Sequence, residues 1–125
     1  MDAIVVRGIR PGKLLTVYRI VMTGDRGSPL LADSLRSHYE RGRPPRGAEF
    51  RAAVIHMGLS VYLSDLSARA TAHRYPQIGT FIAELRLRGE RGFNYAATGQ
   101  PGHLTIWGDP IKLQEAIVAI RAARG

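Results

Sequence analysis

The chain has no cysteine among its 125 residues, which excludes disulfides and thiolate metal sites. It also has no apolar run of membrane-spanning length. The richest stretch, Leu14 to Met22, is broken by Tyr18 and Arg19, so no membrane partner is expected. The start, MDAIVVRGIR, lacks a charged segment leading into a long apolar one, so it does not read as a secretory leader. Together with the missing cysteines, this makes a cytoplasmic location the expectation. Neither the GxGxxG nor the P-loop pattern occurs, so phosphate binding would fall to side chains. His38, His56, His73 and His103 show no metal-ligand spacing and are joined by no carboxylate cluster, so no metal site is expected. Lysine is nearly missing: of 18 basic residues, all but Lys13 and Lys112 are arginine.

What is present is a net charge of +8. The guanidinium fork matches phosphate and carboxylate geometry, so a basic, arginine-dominated surface suits a nucleotide, a dinucleotide or nucleic acid. An arginine-favouring codon composition would produce the same excess without any partner. The 45% apolar content is that of a globular protein, and the length suits one domain. Residues 1–13 read as an N-terminal extension and 14–125 as the core, and oligomeric state is left open.

Leu14 to Met22 reads as a strand. Ser28 can cap a helix with Pro29 at its first position, and Leu31, Leu35 and Tyr39 would share one face of it up to Gly42. The segment 42–47, GRPPRG, reads as a stiff basic loop presenting Arg43 and Arg46. Helical spacing of Phe50, Val54 and Met57 predicts a helix over 49–57. Leu59 to Leu63 reads as a strand, and Ser64 or Asp65 caps a helix to about Tyr75 over Ala68, Ala70 and Ala72. Gly79 to Arg88 alternates: Phe81, Ala83, Leu85 and Leu87 face one way, Glu84 and Arg86 the other. Phe93 to Thr98 and His103 to Trp107 read as further strands. Asp109-Pro110 starts a closing helix with Leu113, Ile117 and Ile120 as its buried stripe. The mixture predicts an α+β fold, with mostly antiparallel sheets, early helices and a C-terminal helix.

Alternation places Ser60 and Tyr62 on one face of their strand, opposite Leu59, Val61 and Leu63. A tyrosine at a strand end can stack on a flat ligand while its hydroxyl stays polar; the plainer alternative is a half-buried core tyrosine. His103, Thr105 and Trp107 share a face of their strand, where His103 could act as a base or bind a ribose or phosphate. Glu84 is expected in an edge ion pair with Arg86 or Arg88.

The run from Gly58 through Tyr62, Ser64 and Asp65, then the alanine-bearing helix, then Phe81 to Leu87, resembles the core of the ADP-ribosyltransferase-like fold. Poly-ADP-ribose polymerases, their diphtheria-toxin-like relatives and the NAD-directed RES-domain toxins show a similar strand, turn, helix and outgoing strand. Val17-Tyr18-Arg19-Ile20 would be their early strand. Small bacterial proteins with an early Tyr-Arg, a Gly-Leu-Ser-Val segment and a late Gly-His and Trp-Gly-Asp-Pro look alike too. The resemblance implies NAD as cofactor, with Arg19 contacting it, Tyr62 stacking on nicotinamide and Ser64 beside the pocket. It would make the chain a toxin-like or modifying enzyme with Tyr62 at the catalytic centre, to which the strand reading adds His103. Ser60 and Arg43 are added as ligand-binding candidates from their faces and loop. The chain departs from the pattern in its carboxylate: the matching positions are about His73 and the strand His103 to Trp107, and neither carries a Glu. The expectation that joins these readings is that Arg19, Tyr62 and His103 meet around one hollow. The alternatives are a basic nucleic-acid-binding module and a catalytically inert interaction protein of the same fold.

Overall fold

The computed structural model describes residues 4–37, 40 and 57–124. It is α+β, as the mixed pattern predicts, and is organised on a seven-stranded antiparallel sheet. In chain order the elements are β1 (Arg7–Gly8), β2 (Leu14–Val21), α1 (Pro29–Ser34), β3 (Leu59–Tyr62), α2 (Asp65–Arg74), β4 (Phe81–Arg88), a 3-10 turn (Gly89–Arg91), β5 (Asn94–Ala97), β6 (His103–Trp107), α3 (Pro110–Glu115) and β7 (Ile117–Ala122). Across the sheet the strands run β1-β5-β6-β3-β2-β4-β7.

The backbone of the sheet is the ladder between β2 and β4, which pairs Leu14 with Arg88 through to Val21 with Phe81. Because side chains alternate, Val17, Val21, Ala83, Leu85 and Leu87 fall on one face. There they join Leu31, Leu35, Val61, Ile106 and Leu113 in the main core. The opposite face carries Ile20 and Ile82, on which α2 packs through Ala68 and Ala72. Alanine at both positions lets the helix lie close to the sheet. Ala70, two residues from each of them, is exposed.

The helix starts follow the capping chemistry in the sequence. Ser28, Ser64 and Asp109 each accept a backbone N–H through the side chain, from Leu30, Ser67 and Ile111. Pro29 and Pro110 fill first-turn positions where no N–H partner is needed.

The closing element differs from the expectation. The chain does not end in a helix over Leu113, Ile117 and Ile120: α3 stops at Glu115 and β7 takes over. The physical reason is a register shift in the β4–β7 ladder between Glu84 and Leu85. It puts Ile117 opposite Leu85 and Ile120 opposite Ala83, so residues three apart both turn to the main core. That spacing imitates a helical stripe. A second difference lies in the N-terminal extension, where Arg7 and Gly8 pair with Tyr95 and Asn94 as an added edge strand. The helix expected over 49–57, apart from Met57, the GRPPRG loop with Arg43 and Arg46, and Tyr39 and Gly42 lie outside the described residues.

β2 and β3 are joined at a single register pair, Tyr18 with Tyr62. The sheet is therefore two ladders, β1-β5-β6-β3 and β2-β4-β7, meeting at one seam.

Candidate functional site

β3 and β6 pair Leu59 with Ile106, Val61 with Leu104, and Tyr62 with His103. The apolar members of those pairs face the main core. Tyr62 and His103 therefore sit side by side on the other face. Their rings meet edge to face, with centroids 5.3 Å apart and an interplanar angle of 78°. This is a favoured aromatic geometry rather than an accidental contact. Leu63 N still donates to Gly102 O (2.8 Å), and β3 ends here because the chain turns at Ser64 into α2. Tyr62 is half-buried and packs against the α2 patch with Tyr18.

His103 is held by the end of the preceding strand. Its Nδ1 lies 2.7 Å from the carbonyl oxygen of Thr98 and 3.1 Å from the Thr98 hydroxyl. A carbonyl oxygen only accepts, so Nδ1 carries the proton and donates it. In the neutral ring Nε2 is then the atom with the free lone pair. The Thr98 hydroxyl also bonds the Thr105 hydroxyl at 2.8 Å, and both threonines are buried. The loop between the strands closes tightly: His103 N donates to Gln100 O (3.0 Å), and Gly99 and Gly102 take φ of 67° and 86°. Left-handed backbone of this kind is cheap only for glycine.

The expected convergence of three residues is not what the fold produces. Tyr18 is the register partner of Tyr62, so Arg19, the next residue, leaves the opposite face. Its guanidinium donates to the carbonyls of Ser34 (3.1 Å) and Ser60 (2.8 Å), tying β2 to α1 and to β3 across the seam. Arg19 is thus brought near the Tyr62 strand but away from its ring and from His103. Ser60 shares the Tyr62 face and is exposed. Ser64 spends its hydroxyl on the α2 cap, accepting from Ser67 N at 3.1 Å and meeting the Ser67 hydroxyl at 2.9 Å. Arg43 lies outside the described residues.

The tertiary register brings to this face residues that sequence reasoning did not place at the site. Glu84, Tyr18, Tyr62 and His103 form one lateral row across β4, β2, β3 and β6. Glu84 is held by Arg86 (3.4 Å) and Arg121 (4.0 Å), so the expected Arg86 pair is present and a second cation joins it. Arg86, Arg88 and Arg121 are exposed on this same face. Tyr18 was beside Arg19 in the sequence, and the signal that could have selected it was the alternation itself. Thr98 could have been found as the last strand residue before the Gly-bearing turn.

Cavities among the described residues lie elsewhere. One of about 440 Å³ sits between the end of α2, the start of β4 and the end of β7, lined by Ala72, His73, Phe81 and Arg124 among others. One of about 290 Å³ lies by Leu31, Ile111 and Ile117. Neither is lined by Tyr62, His103 or Arg19. No group of histidines and carboxylates among the described residues could hold a metal ion. No described helix is long and apolar enough to cross a membrane.

Comparison with known proteins finds no matching family model, no matching curated protein and no matching solved structure, so the site stands on its own geometry.

Proposed function

We propose that the chain is an ADP-ribosyltransferase-like protein that binds NAD or a related nucleotide on the face formed by Tyr62 and His103. The observation that carries this reading is the edge-to-face pair at the end of β3, with the His103 ring orientation held by Thr98. A flat heterocycle stacks on an aromatic pair of this kind, and a bare imidazole nitrogen accepts a sugar hydroxyl. The order of strand, Ser64-Asp65 turn, alanine-packed helix and outgoing apolar strand supports the same reading. Phosphates would be met by Arg86 on this face rather than by Arg19, which is committed to carbonyls.

Calorimetry with NAD, run beside an NAD-consumption assay, tests the proposal. Binding that Tyr62→Ala weakens by about tenfold or more is expected, since a desolvated aromatic contact is worth on the order of 1 kcal/mol beyond its buried area. No binding at ligand concentrations on the order of millimolar, or indifference to Tyr62→Ala, overturns it. Binding without consumption identifies a catalytically inert form.

A nucleic-acid partner is the second reading, favoured by the exposed Arg86, Arg88 and Arg121 beside Glu84. A gel shift with single-stranded RNA, weakening steeply as salt rises, would favour it, because phosphate contacts release counterions.

A further inference from the structure

We infer that Thr98 and Thr105 are positioning residues, which present His103 Nε2 as an open acceptor for a ligand hydroxyl such as that of a ribose. The ligand half of this inference rests on the nucleotide reading above; the positioning half does not.

The Thr98 carbonyl, 2.7 Å from Nδ1, accepts the hydrogen bond from Nδ1–H while the ring is held facing it. The Thr98 hydroxyl, 3.1 Å from the same nitrogen, adds a second partner on that side. Among the described residues Nε2 has no hydrogen-bond partner of its own. Thr98 is itself braced: its hydroxyl is bonded at 2.8 Å to that of Thr105, which is 1% exposed, so water does not compete for the pair. Both are β-branched, which limits the rotamers through which their hydroxyls could swing away. Thr105 is braced in turn by Gly58, where an added Cβ would lie 2.4 Å from the Thr105 methyl. The chain spends two buried hydroxyls and a backbone carbonyl on one edge of an imidazole whose other edge is left open.

An acceptor nitrogen selects for a donor. A ribose hydroxyl supplies one, whereas a phosphate oxygen or a carboxamide carbonyl facing Nε2 would meet lone pair with lone pair. Tyr62, on β3, is the titratable side chain in ring contact with His103. Thr98, at the strand end before the turn, is the uncharged partner of His103, and Thr105 of β6 bonds to the Thr98 hydroxyl.

The test is long-range proton–nitrogen NMR of the histidines, in mildly alkaline buffer and without ligand. The expected result is His103 as the Nδ1–H tautomer in the native protein and a mixture of tautomers in Thr98→Val and Thr105→Val, which keep the carbonyl but remove the hydroxyls that hold the ring against it. Thr98→Ser and Thr105→Ser should restore the native pattern, which a merely structural defect would not do. An Nε2–H tautomer in the native protein, or valine variants with an unchanged tautomer, overturns the positioning role. In the second arm, nicotinamide mononucleotide is compared with its 2′-deoxy and 3′-deoxy forms. The parent should shift the Nε2 resonance, and one deoxy form should bind about fivefold more weakly without shifting it. A parent that shifts Tyr62 but leaves Nε2 unmoved overturns the hydroxyl assignment alone. A parent that moves neither ends the nucleotide reading and the hydroxyl assignment together, while the tautomer result stands by itself.

Discussion

Tyr18 and Arg19 are neighbours on a strand and so serve opposite faces, and the single register pair with Tyr62 decides which of them belongs to the site. The consequence is testable by separating stability from binding. Arg19→Met removes the donor to the Ser34 and Ser60 carbonyls and should destabilise by about 1–3 kcal/mol while leaving nucleotide affinity unchanged. A thermal melt beside calorimetry checks it; a large loss of affinity in a folded variant would return Arg19 to the site. Tyr62→Phe keeps the ring against His103 and should hold stability to within about 0.5 kcal/mol, whereas Tyr62→Ala should not. The face of each residue on its own strand was legible in the sequence: Ser60 with Tyr62, and His103 with Thr105. Which faces meet was not, because that depends on pairing between strands far apart in the chain.

At the scale of elements, capping and alternation were the legible signals. Ser64 accepts from Ser67 N where α2 begins, so Ser64→Ala should cost about 1 kcal/mol, read by chemical denaturation. The Gly89–Arg91 turn contains a pH-dependent tie. The Glu90 carboxyl is held below the usual carboxylate range, first by the Gly12 N–H that donates to it, then by its own backbone N–H, with the Arg88 charge adding to these. A carboxyl depressed in the folded state contributes stability that is present above its unfolded pKa and lost as pH falls through the folded value. Glu90→Gln should therefore lower the thermal midpoint at neutral pH, where the carboxylate is charged, flatten the acid side of the profile, and change little at low pH, where the native carboxyl is itself protonated. The closing strand was misread for a stated reason: the register shift beside Glu84 lets Ile117 and Ile120 face one core at a spacing that helices share. Hydrogen exchange should show β7 amides protected in the pattern of the β4 ladder, and Ile117→Ala should cost about 2–4 kcal/mol as a buried core truncation.

At the scale of the whole molecule the seam matters most. Two ladders meet at one register pair, braced by the Arg19 guanidinium on the far face. Amides that point across the seam between β2 and β3 should exchange faster than those that point across the β2–β4 ladder, and Arg19→Met should widen that difference. Equal protection across the seam would argue against it. The +8 charge acts at this scale too, since it belongs to the surface as a whole and favours anionic partners wherever the ladders leave arginines exposed.

By itself the sequence determined the α+β class, most of the strands, the helix starts at Ser28, Ser64 and Asp109, and the side of each strand that is apolar. Those are local properties of side-chain alternation, capping and turn chemistry. Only the tertiary structure decided that Tyr18 rather than Arg19 neighbours Tyr62, that Thr98 holds His103, and that the chain closes with a strand. Each of these depends on register and bulges, which are set when distant segments exchange backbone hydrogen bonds and cannot be read from either segment alone.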